Sequence, residues 1–158
     1  MQNLIRTSPG SRVTIHKRKK EKYMSFFTWD ASYSNGIQSI DDQHRKLIKL
    51  ADELFEAMKS GKGKEVIGKV LSSLIDYTVT HFTYEEKLMQ TAGYPLYLAH
   101  HKIHQDLVRK VKEFHEKFQT GNTMLTVELM NFLKTWLIDH IKGEDRKYAP
   151  YLIEKGVK

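Results

Sequence analysis

Four stretches of this 158-residue chain repeat apolar side chains at three- and four-residue steps, the spacing of one face of a helix. The first, from about Ile40 to Ser60, aligns Ile40, His44, Leu47, Ala51, Leu54 and Met58. Ser39 and Asp42 fit a capping box at its start. After Ser60-Gly61-Lys62-Gly63, a second runs from about Lys64 to Gln90 and turns Ile67, Val70, Leu74, Thr78, His81, Glu85 and Leu88 inward. Gly93 and Pro95 break the chain. The third, about Leu96 to Thr120, places Tyr97, His100, His104, Leu107, Val111, Phe114 and Phe118 on one face. Gly121-Asn122 ends it, and the fourth runs from about Thr123 to Lys142 with Leu125, Leu129, Phe132, Trp136 and His140. Amphipathic helices joined by links this short pack as antiparallel neighbours. The expected fold is all-α: an up-down-up-down antiparallel four-helix bundle, preceded by an aromatic loop and a flexible basic arm.

The stripes are not wholly apolar, and their interruptions carry the chemistry. His81 and Glu85 are four apart, as are His100 and His104, so each pair shares a helix face about 6 Å apart along the axis. The first helix adds His44 and the fourth His140, while Asp145 follows just after Gly143 and reads as a loop carboxylate able to bend back into the bundle. A single histidine on such a stripe is ordinarily a core residue with a hydrogen-bond partner. Four helices that each place one there point instead to a shared ligand, because burying so many polar groups without one costs too much. His44, His81, Glu85, His100, His104, His140 and Asp145 exceed what one first-row ion needs. They suit two ions bridged by carboxylates, about 3.5–4 Å apart. Nitrogen and oxygen donors without sulfur favour a non-haem di-iron centre over copper or structural zinc. His101 is turned about 100° off the stripe, and His115 lies about 16 Å along the helix from His104. His16 falls in the arm.

Composition narrows the alternatives. With no cysteine, thiolate zinc sites, iron–sulfur clusters and cysteine nucleophiles are excluded. No Glu is followed by His at the third position, as ferritin-like di-iron bundles require, and His-Glu-x-x-His is absent. The formal charge of +7 suggests a polyanionic partner at first sight, but seven bases and one acid fall in residues 1–23. That segment reads as a flexible basic arm upstream of a native start at Met24, and residues 24–158 as a nearly neutral working domain. Nucleic acid and membrane partners are therefore not expected.

The motifs Ile40-Asp41-Asp42-Gln43-His44, His81-Phe82-Thr83-Tyr84-Glu85-Glu86, His100-x-x-x-His104 and His140 with Asp145 closely resemble those of the haemerythrin family. The likeness extends to Phe26-Phe27-Thr28-Trp29, Gly93-Tyr94-Pro95 and Trp136-Leu137, and so spans about residues 24–150. The resemblance implies that His100, His104 and His140 bind one iron and that His44 and His81 bind the other. Glu85 and Asp145 would bridge the pair, together with an oxo or hydroxo group. One iron is then six-coordinate, and the other keeps an open position for O2.

The function so implied is reversible O2 binding for transport, storage or delivery by a cytoplasmic prokaryotic protein, expected to be a monomer and not an enzyme. An O2 or redox sensor, and a di-iron protein acting on NO, peroxide or ferrous iron, are the alternatives. A carrier of this kind needs a dry pocket so that solvent does not drive oxidation to a dead-end diferric form. Leu47, Phe82, Trp136 and Leu137, each about one turn from a ligand, are the candidate lining. Asp41, Asp42, Glu86 and Asp139 are available to hold the imidazole N–H groups.

Overall fold

The computed structural model describes residues 26–121 and 125–158, apart from the side chains at 125 and 126. The readings made for residues 1–23, for His16, for a start at Met24, for a fourth helix opening at Thr123 and for an inward Leu125 lie outside these. Among the described residues the secondary structure is helical throughout. Helices α1 (Gln38–Lys59), α2 (Lys64–Ala92), α3 (Tyr97–Gln119) and α4 (Leu125–Asp139) follow the four apolar stripes. Contacts run α1 to α2, α2 to α3 and α3 to α4, and α1 against α4 closes the ring.

Helix α1 starts at Gln38, so Ser39 lies inside it, and the capping box is not formed. The Ser39 hydroxyl is buried without a partner, while Asp42 sits on the surface and accepts from Gln38 Nε2 (2.8 Å) and Arg45 (2.6 Å). The Asp41 carboxylate organises the entry instead, accepting from Asn35 N–H at 2.9 Å and from the Ser34 hydroxyl. The aromatic segment before α1 is pinned to the bundle. Asp52 Oδ1 accepts from the backbone N–H groups of Phe26 (2.8 Å) and Phe27 (3.2 Å), and Phe26 stacks on Phe55 at 4.3 Å.

Two stripes are broader than expected: Ile67, Leu74, His81 and Glu85 on the second and Leu129 and His140 on the fourth are buried as expected, but their neighbours differ in part. Helix α2 buries Leu71, Phe82 and Met89, leaving Val70, Thr78 and Leu88 only partly covered. Helix α4 buries Leu129, Leu133 and Leu137, with Phe132 and Trp136 at the edge. Both helices are apolar around much of their circumference, so the pattern alone leaves the exact face open.

The largest departure follows α4. A single π turn, His140–Glu144, continues directly into α5, Asp145–Glu154, so Asp145 lies on a helix and not on a loop. The Asp145 N–H donates to the His140 carbonyl, five residues back. In a regular α-helix two residues five apart point about 140° away from each other. The wider π turn reduces that angle and lets His140 and Asp145 address one point. Helix α5 then builds a second, smaller core, in which Tyr148, Ala149 and Leu152 pack with Ile37, Ile40, Met89 and Tyr94.

The α2–α3 link sets the relative height of the two ligand-bearing helices. Gly93 ends α2 at φ +71°, with its N–H on the Gln90 carbonyl at 3.1 Å and the Tyr94 N–H on the Met89 carbonyl at 2.8 Å. A side chain at this left-handed position is disfavoured. Gly93→Ala is expected to destabilise the fold by about 1–2 kcal/mol, read from the midpoint of chemical denaturation; an unchanged midpoint would contradict the role given to this turn.

Candidate metal centre

All seven sequence-predicted donors meet inside the bundle. His44 comes from α1, His81 and Glu85 from α2, His100 and His104 from α3, His140 from the π turn and Asp145 from the start of α5. Each is at most 5% exposed. They form two overlapping groups whose donor atoms lie within 4.8 Å of one another: His100, His104, His140, Asp145 and Glu85 in one, His44, His81 and Glu85 in the other.

The two carboxylates face both groups. Glu85 Oε1 lies 3.6 Å from His44 Nε2 and 3.4 Å from His81 Nε2, while Oε2 lies 3.4 Å from His104 Nε2. Asp145 Oδ2 is 3.2 Å from His44 Nε2, and Oδ1 is 3.4 Å from His100 Nε2 and 3.0 Å from His140 Nε2. One oxygen of each carboxylate therefore serves a two-histidine side and the other a three-histidine side.

These separations fit donors that share a cation better than donors bonded to each other. The Nε2 atoms of His44, His81 and His100, Glu85 Oε2 and both Asp145 oxygens are buried with no aligned hydrogen-bond partner. His104 Nε2 and His140 Nε2 stand 3.1 Å apart. Two donors each about 2.1 Å from one ion, at right angles, are about 3 Å apart. Left without an ion, so many buried polar atoms would each cost more than 1 kcal/mol.

The surrounding side chains orient the donors. His81 Nδ1 donates to Gln43 Oε1 at 2.9 Å and His104 Nδ1 to Glu86 Oε1 at 2.8 Å, which leaves each Nε2 lone pair facing the cluster. Glu86 also pairs with His101 Nδ1 at 2.9 Å, which gives that partly exposed histidine an indirect link to the site. Of the other candidate acceptors, Asp41 and Asp42 act at the start of α1, and Asp139 is exposed. Gln43 and Tyr148, which donates from its buried hydroxyl to Glu85 Oε1, were not apparent in the sequence. Tyr148 lies one turn beyond Asp145, a signal readable only once α5 is known. His115 is remote, near Ser72 and Gln119.

The candidate pocket residues separate into two kinds. Phe82 stacks on His104 with ring centres 3.7 Å apart, and Trp136 stacks on His140 at 4.4 Å, so both cover the three-histidine side. Leu47 and Leu137 are buried in the main apolar core. A groove of about 650 Å³ between α2 and α3 reaches Phe82, His104 and Glu86 from the surface.

Burial and charge oppose each other across the cluster. Burial disfavours a charged His44, but the negative charge of Asp145 and Glu85 beside it outweighs that and pushes its pKa up to about 9. At His81 burial prevails and lowers the pKa to about 4. Burial pushes both carboxylates up, yet the imidazoles around them hold Glu85 and Asp145 below the usual carboxylate range. His140 is raised, because Asp145 overcomes its burial.

A helical bundle with a buried histidine–carboxylate cluster is able to bind metal, and the comparisons with known proteins agree. The family model described as "Hemerythrin HHE cation binding domain" matches residues 35–152. A bacteriohemerythrin of Stenotrophomonas maltophilia (strain R551-3) is 37% identical over 126 residues, covering 80% of this chain and 81% of that protein. One from Methylococcus capsulatus (strain Bath) is 35% identical over 130 residues, covering 82% and 98%. The crystal structure of a wild-type hemerythrin superposes with a TM-score of 0.71 at 34% identity, over 80% of this chain and 98% of that one. This chain belongs to the haemerythrin family. Among the described residues, no helix is long and apolar enough to cross a membrane.

With its pKa pushed up to about 9 in the metal-free cluster, His44 is expected to lose a proton when metal loads near neutral pH. For one displaced proton, affinity is expected to fall about tenfold per pH unit below that value. Calorimetry in buffers of different ionisation enthalpy counts the released proton; an affinity that is flat between about pH 6 and 8 would contradict this protonation.

Proposed function

We propose that the cluster holds two iron ions and binds O2 reversibly, for transport, storage or delivery. His100, His104 and His140 would hold one ion, His44 and His81 the other, with Glu85 and Asp145 giving one oxygen to each. The observation that carries the reading is the division of each carboxylate between a two-histidine and a three-histidine side. The names of the relatives, bacteriohemerythrin and hemerythrin, support it.

When bound, an iron pair would supply the two electrons that reversible O2 binding draws on. The residues of the chain determine how that capacity is used. The two-histidine side offers one protein donor fewer, which would leave room there for O2. Five imidazoles against two carboxylates leave the cluster cationic, which disfavours the more oxidised states that oxygenases use. No side chain needs to act as acid or base, consistent with a carrier and not an enzyme. Gln43 and Glu86 hold the imidazoles of His81 and His104 in ligating orientation.

Water exclusion falls to the apolar neighbours. Phe82 and Trp136 shield His104 and His140, while Leu47 and Leu137, one turn from His44 and His140, close the core beside the cluster. Every residue in this proposal lies within the 35–152 match.

Aerobic absorption spectroscopy with iron counting tests the reading. About two irons per chain and oxo-bridged diferric bands that change reversibly on deoxygenation are expected. Fewer irons, or no reversible change, would sink it. Leu137→Ala is expected to open the pocket and speed autoxidation in air; an unchanged rate would remove Leu137 from the lining.

A further inference from the structure

Among the described residues, Tyr148 is the largest fully buried side chain, at 0% exposure. It stands between the metal cluster and the second core. Its ring meets that of His100 edge-on at 5.2 Å, and its other neighbours include Ile37, Ile40 and Met89. A phenylalanine would fill the same apolar volume without the cost of burying a hydroxyl. The hydroxyl instead donates to Glu85, and to one particular oxygen. That oxygen, Oε1, faces His44 and His81, whereas Oε2 faces His104. The hydrogen bond is therefore one-sided with respect to the cluster.

We propose that Tyr148 is a positioning residue that, through Glu85 Oε1, favours the reduced state on the two-histidine side of the centre. The inference rests on the iron-pair reading above. A hydrogen bond to a ligand oxygen takes up part of its negative charge and makes it a weaker donor. A weaker donor stabilises the more highly charged, oxidised ion less than the reduced one, and the potential rises. Because the hydroxyl meets Oε1 and not Oε2, the effect is greatest on the side where O2 is expected to bind. The same hydrogen bond limits rotation of the Glu85 carboxylate and so helps keep one oxygen turned to each side. The fold supplies this donor through α5, which exists only because the chain continues as helix past the π turn.

Tyr148→Phe in the full chain removes the hydroxyl and little else. Tyr94→Phe is the packing control, since its ring lies 6.4 Å from that of Tyr148 in the same core. The measurements are iron per chain, Fe(II) affinity by chelator competition, the midpoint potential by mediated titration, and thermal unfolding. Tyr148→Phe is expected to retain two irons, with a lower midpoint and autoxidation about tenfold faster. Tyr94→Phe should leave the midpoint where it was. An unchanged midpoint in an iron-loaded Tyr148→Phe protein would reduce the residue to packing and overturn the proposal. If that variant does not fold or load, fluorinated tyrosines placed at position 148 keep the shape while strengthening the donor. The midpoint should then rise with phenol acidity, and the absence of a trend would also overturn it. Fewer than two irons in the unsubstituted protein would instead bring down the iron-pair reading, and this inference with it.

Discussion

Burial of seven ionisable or strongly polar side chains at one level of an apolar bundle is the constraint on which the rest of the structure depends. Five imidazoles and two carboxylates at no more than 5% exposure are not stable as a collection of isolated groups. They hold together because each carboxylate lies within 3.6 Å of imidazole nitrogens from different helices. Even so, atoms such as His81 Nε2 and Asp145 Oδ2 are left with no aligned partner. The deficit is what makes the cluster a cation site, and it explains why α1, α2, α3 and the π turn all converge on the same depth. The apolar stripes provide the cohesion of the bundle, and the polar interruptions determine how the helices are registered against one another.

The chain beyond α4 is as important to the centre as the four main helices. A five-residue step from His140 to Asp145 is wrong for two ligands on one face of an α-helix, and the single π turn resolves the mismatch. Continuing into α5, the chain then closes the second core around Tyr148, Ala149 and Leu152. The same region is held from the N-terminal side, where Arg146 donates to the Ser32 carbonyl at 2.6 Å and Lys142 lies over the Tyr33 ring at 4.4 Å. The segment before α1 and the segment after α4 thus brace the last two donors together.

The seven residues that the structure gathers into one buried cluster are legible in the sequence because each sits at a three- or four-residue step from apolar neighbours, or close behind one that does. His101 and His115 could be set aside on the same grounds, by angle and by distance along α3. The residues that orient the donors were less accessible. Glu86 was one of four available acidic residues, and nothing in its spacing distinguished it from Asp41, Asp42 or Asp139. Gln43 carries no such signal, because its role depends on a partner, His81, 38 residues away on another helix. The edges of the buried faces of α2 and α4, such as Leu71 against Val70 and Leu137 against Trp136, are not legible in the sequence, since broad apolar surfaces leave them to be settled by the neighbouring helices.

The sequence by itself determined the helical class, the four helical segments, the seven candidate ligand residues and the exclusion of thiolate chemistry. These follow from periodicity and composition, which are local properties. Only the tertiary structure decided that Asp145 rides on a helix, that a π turn aligns it with His140, that each carboxylate divides its oxygens between two groups of histidines, and that Tyr148 reaches Glu85. Each of these depends on the distance between residues on different elements, set by how the helices pack, and no spacing along a single chain records it.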